Sequence, residues 1–211
     1  MGNKSTAAWE GWSIVGAVTI ALILGVTMEA MAAPEPVDAI RGIIRLTARS
    51  SFALFALAFT AAAAWRFWPN PWTRWQQRNR RYLGVAFAVA QTFYLFALLA
   101  LGRIAPGDLA ATASPVTWMV GALAYLFIAL MTLTSFDSTA RQVGPRAWSI
   151  LHTAGSYYLW LVFASNYLSR AAIIPAYIPF AVMVVFILVL RVAARISKLR
   201  ARHSAIQRGG I

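Results

Sequence analysis

Between Arg146 and Arg170 the chain runs for 23 residues without a charged side chain. As a helix rising 1.5 Å per residue, that stretch measures about 35 Å, enough to cross a hydrocarbon core of about 30 Å. Arg146 and Trp148 mark one boundary, Tyr167 and Arg170 the other, which is the aromatic and basic anchoring found at membrane interfaces. Inside the stretch sits His152, and the chain's only other histidine, His203, lies in a basic tail. An imidazole in a membrane helix can bind a metal or carry a proton, or it can simply hydrogen-bond a neighbouring helix. The residue alone leaves both readings open.

The rest of the chain repeats the pattern. Of 211 residues 60% are hydrophobic, and the nineteen Lys and Arg fall in the gaps between apolar runs. We expect one all-α domain, residues 1–211, folded as a polytopic bundle of six transmembrane helices. The spans fall at about 12–31, 51–68, 82–101, 116–134, 148–168 and 173–190. The first could instead be a signal peptide with the small residues Ala30-Met-Ala32 at its end, but its apolar run is longer than a usual signal core.

Before the second span, residues 37–50 are too polar to cross. Arg41, Arg45 and Arg49 recur every four residues beside a stripe of Ile40, Ile43 and Ile44, which predicts a short amphipathic helix lying on the membrane surface. Its arginines would meet lipid phosphate, or else the acidic groups of a cofactor or a quinone headgroup. Residues 66–81 read as an interfacial loop with Trp68, Trp72 and Trp75 among five arginines. Pro175 and Pro179 suit the first turn of the last span, and the basic tail after Arg191 is expected to fray or lie along headgroups.

Six spans put both termini on one side. That side collects fourteen of the nineteen Lys and Arg, Lys4 included, and the opposite side five: Arg41, Arg45, Arg49, Arg103 and Arg170. The positive-inside rule then places both termini in the cytoplasm. The same distribution explains the net charge of +13 by topology and anionic lipid, not by nucleic acid. Without cysteine there is no disulfide, thiolate metal site or iron–sulfur cluster.

Two stretches carry a resemblance. Leu151-His-Thr-Ala-Gly-Ser-Tyr-Tyr-Leu-Trp160, preceded by Thr134-Ser-Phe-Asp137 and Gly144-Pro-Arg-Ala-Trp148, resembles the fifth membrane helix of the ferric reductase-like transmembrane family. That family includes the haem-binding membrane subunit of the bacterial methionine sulfoxide reductase system. Arg80-Arg-Tyr-Leu-Gly-Val85 is similar to the start of the family's third helix. The resemblance implies a six-helix bundle in a bacterial-type inner membrane, with b-type haem held between the third and fifth helices. His152 stands where the first fifth-helix histidine belongs. The second would fall at Ser165 or Asn166, and the third-helix ligand near Gln91 or Tyr94; none of these is a histidine.

A bis-histidine haem inside the membrane is therefore excluded by counting. The resemblance leaves a haem-poor or haem-free accessory subunit of a larger membrane assembly, or an electron-transfer protein holding one haem b through His152 and a non-histidine ligand. On the first reading Gln91, Tyr94, Phe93 and Phe163 are expected to fill the vacated space, with the Tyr94 hydroxyl bonded to Ser165 or Asn166. No Asp, Glu, Lys or Arg lies mid-span, against a pump or ion-coupled transporter. No phosphate loop, dinucleotide fingerprint or zinc-spaced cluster appears either. No catalytic residue is assigned; if the chain takes part in catalysis, it does so as an oxidoreductase component.

Overall fold

The computed structural model describes residues 10–112 and 114–208, which are almost wholly helical, with no strand among them. Helix α1 (Trp12–Ala32) is followed by α2 (Pro36–Phe67), the short α3 (Pro71–Arg78) and α4 (Arg80–Ile104). Then come α5 (Pro106–Thr112), α6 (Pro115–Leu133), α7 (Asp137–Val143) and α8 (Pro145–Ala171). A 3₁₀ turn (Pro175–Tyr177) leads into α9 (Ile178–Arg208). Five stretches are long and apolar enough to cross a membrane: α1, α2, α4, α6 and the segment Pro175–Ala201. The chain is an all-α, multi-pass membrane protein. Helix α8, which carries His152, is 27 residues long and more polar than these five.

Helix α2 is the centre of the bundle and touches α1, α3, α4 and α9, while α8 packs between α6 and α9. The main core joins Phe52, Phe55 and Phe59 of α2 to Phe87 of α4, Ile128 of α6, Leu159 and Tyr167 of α8, and Val184 and Ile187 of α9. Phe163 sits in this cluster, 5.2 Å between ring centroids from both Phe52 and Phe55. Outward faces stay apolar and bare, with Ile20 and Leu24 on α1, Met119 on α6, and Val182 and Phe186 on α9 all exposed. Such faces suit lipid.

Side-chain contacts sort the helix ends into two groups. At one end the backbone N–H of Gly11 donates to Asn79 Oδ1 at 2.9 Å, Arg78 pairs with Glu10, Arg81 pairs with Asp137, and Arg66 donates to Ser197. Gly11 has φ of +67°, a conformation open to glycine, and this turns the chain into α1 so that Trp12 packs on Tyr82 and Phe136. At the other end Arg41 of α2 reaches Asp108 of α5 at 2.6 Å.

The structure differs from the sequence expectation in four places. Residues 37–67, read from the sequence as two elements, belong to one continuous helix, α2, of 32 residues. The Ile40 stripe that was expected to meet lipid packs instead on Ala97 and Leu101 of α4. At the junction the hydroxyls of Thr47 and Ser51 bond back to Ile43 and Ala48 carbonyls, so the polar residues do not interrupt the helix.

The interfacial loop contains α3, held by a capping box in which Asn70 and Thr73 exchange side-chain-to-backbone bonds. Gln76 of α3 is buried and donates to the Leu57 carbonyl at 2.8 Å, stitching α3 under the end of α2. The tail does not fray after Arg191 but continues α9 to Arg208. Finally, Tyr94 does not bond Ser165 or Asn166. Those two side chains are exposed, and both donate to the Val162 carbonyl of their own helix. Short polar side chains in an apolar helix find the carbonyl three or four residues back before they find a neighbour. Lys4, counted in the charge balance, lies outside the described residues, as does the side chain of His203.

Candidate functional site

His152 lies in the second turn of α8, half-buried, with its ring stacked on Trp148 one turn earlier at 4.2 Å between centroids. That contact is the i, i+4 spacing of a helix face. Trp148 in turn donates its indole N–H to the Thr134 carbonyl at 2.9 Å, fixing α8 against the end of α6. The Thr134 hydroxyl is 2.7 Å from the Leu130 carbonyl and 3.0 Å from His152 Nε2. A carbonyl can only accept, so when the threonine hydrogen is on Leu130 its oxygen is free to accept from the Nε2–H tautomer of His152.

A cavity of about 350 Å³ opens in front of the imidazole. Phe55, Phe59, Phe87, Ile128 and Leu159 form its floor, and Arg78, Arg80, Arg81 and Asp137 stand around its mouth with Thr134 and His152. Across from α8, helix α4 contributes Gly84, where an added Cβ would meet nothing within 4 Å. The cavity therefore reaches the α4 backbone. Arg81 Nη1 holds Asp137 at 2.6 Å while its Nε is buried with no hydrogen-bond partner, and Arg78 pairs with Glu10 at 3.0 Å. Arg80 is half-buried and makes no ion pair or hydrogen bond to a described residue.

The sequence-named residues do not converge. Gln91 and Tyr94 lie farther along α4 and line no part of this cavity. Gln91 ties helices together: its amide nitrogen is 3.4 Å from the Ser51 hydroxyl on α2, and Tyr125 of α6 donates to its backbone carbonyl at 3.0 Å and its side-chain oxygen at 3.3 Å. Tyr94 is half-buried within electrostatic range of Arg170, toward the other end of the bundle. The α4 residues that share the cavity lining with His152 include Gly84 and Phe87, which the sequence did not single out. The signals were present in part: adjacent Arg80 and Arg81 open α4, and Trp148 precedes His152 by four.

A haem with two axial ligands needs donors on opposite faces of the ring. The cavity offers His152 and Met131, but the Met131 sulfur rests against Gly155 of α8, where an added Cβ would stand 2.5 Å from it. Both donors therefore stand on the α8 side, and Nε2 is engaged with Thr134. The residues do not fit a six-coordinate haem. Among the described residues no three His, Asp or Glu side chains gather as a metal site. No family model, curated protein or solved structure matches this chain.

Proposed function

We propose that this chain is an accessory subunit of a membrane assembly, a haem-poor or haem-free member of the ferric reductase-like family with six spans and both termini in the cytoplasm. The observation that carries the reading is Gln91. At the position where a third-helix ligand is expected, its side chain is spent joining α2 to α6 through Ser51 and Tyr125. Buried polar side chains in membrane bundles commonly serve as such glue. The exposure of Ser165 and Asn166 supports the same reading, since a ligand on that face would point out of the bundle.

Support for six spans comes from α8. It runs antiparallel to α6, with Trp148 bonded to Thr134 at one end and Tyr158 bonded to Val120 farther along. Its buried face, Leu159, Ala164 and Tyr167, enters the same core as the five more apolar helices. Bacterial-type inner membrane is the matching location, because fourteen of nineteen basic residues would then face the cytoplasm.

The test is purification from native membranes in a mild detergent. The expected sample shows no Soret band and runs on a native gel in a complex with a second polypeptide at fixed stoichiometry. Stoichiometric haem that disappears in His152→Ala would replace this reading with electron transfer through one haem. A chain that stays alone in every detergent tested would remove the accessory role.

A further inference from the structure

We propose that the cavity beside His152 is a binding site for one anionic phospholipid, with the phosphate held by Arg80 and Arg81 and the upper acyl chain lying on the phenylalanine floor. The inference goes beyond the accessory reading and does not depend on it.

Three observations point to this occupant. Around the mouth stand three guanidinium groups, Arg78, Arg80 and Arg81, of which Arg78 is already paired with Glu10 and Arg81 with Asp137. That leaves Arg80 as a cation without a counter-charge. Half-buried and without a carboxylate partner, it would be stabilised by an anion brought from outside. Second, Arg81 keeps a buried Nε–H with no acceptor. Buried donors are normally satisfied, so an acceptor oxygen is missing at this point. A phosphate oxygen supplies that acceptor and the negative charge together, and guanidinium groups match phosphate geometry.

The third observation is the floor. Phe55, Phe59, Phe87, Ile128 and Leu159 offer nothing to a small hydrated anion but suit hydrocarbon. The polar mouth is built from α3, α7 and the first turn of α4, where the helices end, and the apolar floor from the body of the bundle. A lipid has this same order of headgroup and chain. Gly84 leaves the α4 wall open where the upper chain would pass.

The experiment is native mass spectrometry of the full chain in neutral detergent, titrated with phosphatidylglycerol, phosphatidylcholine of the same chains, or inorganic phosphate. We expect one phosphatidylglycerol per chain, with weaker phosphatidylcholine binding and none of free phosphate. Arg80→Gln should lower phosphatidylglycerol affinity about tenfold, the equivalent of one charge-assisted hydrogen bond. Arg146→Gln, an exposed arginine outside the cavity, should change it less than about twofold. Gly84→Leu fills the open space and should abolish binding while the chain still folds, so the site is tested even if Arg80→Gln does not fold. Undiminished binding to Gly84→Leu would place the lipid elsewhere and overturn the proposal. So would free phosphate binding as tightly as the lipid, or haem displacing the lipid stoichiometrically.

Discussion

Arg191 of α9 lies over the ring of Phe59 on α2, its guanidinium carbon 4.0 Å from the ring centroid, and donates Nη1 to the carbonyl of that same residue at 2.8 Å. One side chain thus makes a cation–π contact and a hydrogen bond to one partner, with the Tyr157 ring 5.1 Å away. Lysine has the charge without the planar fork that allows both contacts. We expect Arg191→Lys to cost about 1 kcal/mol and Arg191→Ala about 2–3 kcal/mol, from the loss of the contact and the bond. Thermal unfolding in detergent checks the order. Equal stability of Arg191→Lys and the parent chain would show that charge alone matters here.

Two glycines should respond to alanine with opposite signs. At Gly84 a Cβ meets nothing within 4 Å, so Gly84→Ala should gain up to about 1 kcal/mol from helix propensity. At Gly155 it would stand 2.5 Å from the Met131 sulfur and 3.0 Å from a Phe127 ring carbon, so both must shift. Gly155→Ala should lose about 1 kcal/mol net. Combined with Met131→Ala, that loss should be less than additive, because the clash has been removed. Melting temperatures of the four variants decide the matter.

Absence of cysteine makes the topology directly measurable. Single cysteines at Gly107 and Ala172, both exposed at the α5 end of the bundle, should react with an impermeant maleimide added to intact cells. Cysteines at Gln77 and Ser138, exposed at the opposite end, should react only after lysis. The reverse pattern would invert the orientation, and a mixed one would remove the six-span arrangement.

Restoring family-like histidines should not restore haem. Ser165 is exposed and turned back onto Val162, so Tyr94→His with Ser165→His puts one imidazole on the outside of α8. We expect that double variant to show no Soret band after incubation with hemin. A stable bis-histidine spectrum would mean that α8 can rotate its exposed face inward.

The helices were legible because charge-free length is a sequence property. Residues 82–101 and 116–134 each lie within three residues of the ends of α4 and α6. What misled was polarity: Arg41, Arg45 and Arg49 made residues 37–50 read as a surface segment. The determining contact is between Ile40 and Ala97 and Leu101, some sixty residues away, and no local pattern carries it. The site was legible only as His152. Its surroundings depend on which turn of α4 lines the same cavity, and that turn holds Gly84, two turns before Gln91. Helix-to-helix register is set by packing such as Met131 on Gly155, which spacing within one helix does not encode.

The unbroken length of α2 has a mechanical consequence. From Arg41 to Phe59 the axis runs about 27 Å with no proline and no interrupted turn, so this segment behaves as a strut. Its upper part is latched to Asp108 and its lower part is gripped by Arg191. A strut cannot pivot at one fastening without displacing the other. Any event that pulls Arg41 from Asp108 therefore also loads the Phe59–Arg191 grip on the opposite side of the bundle.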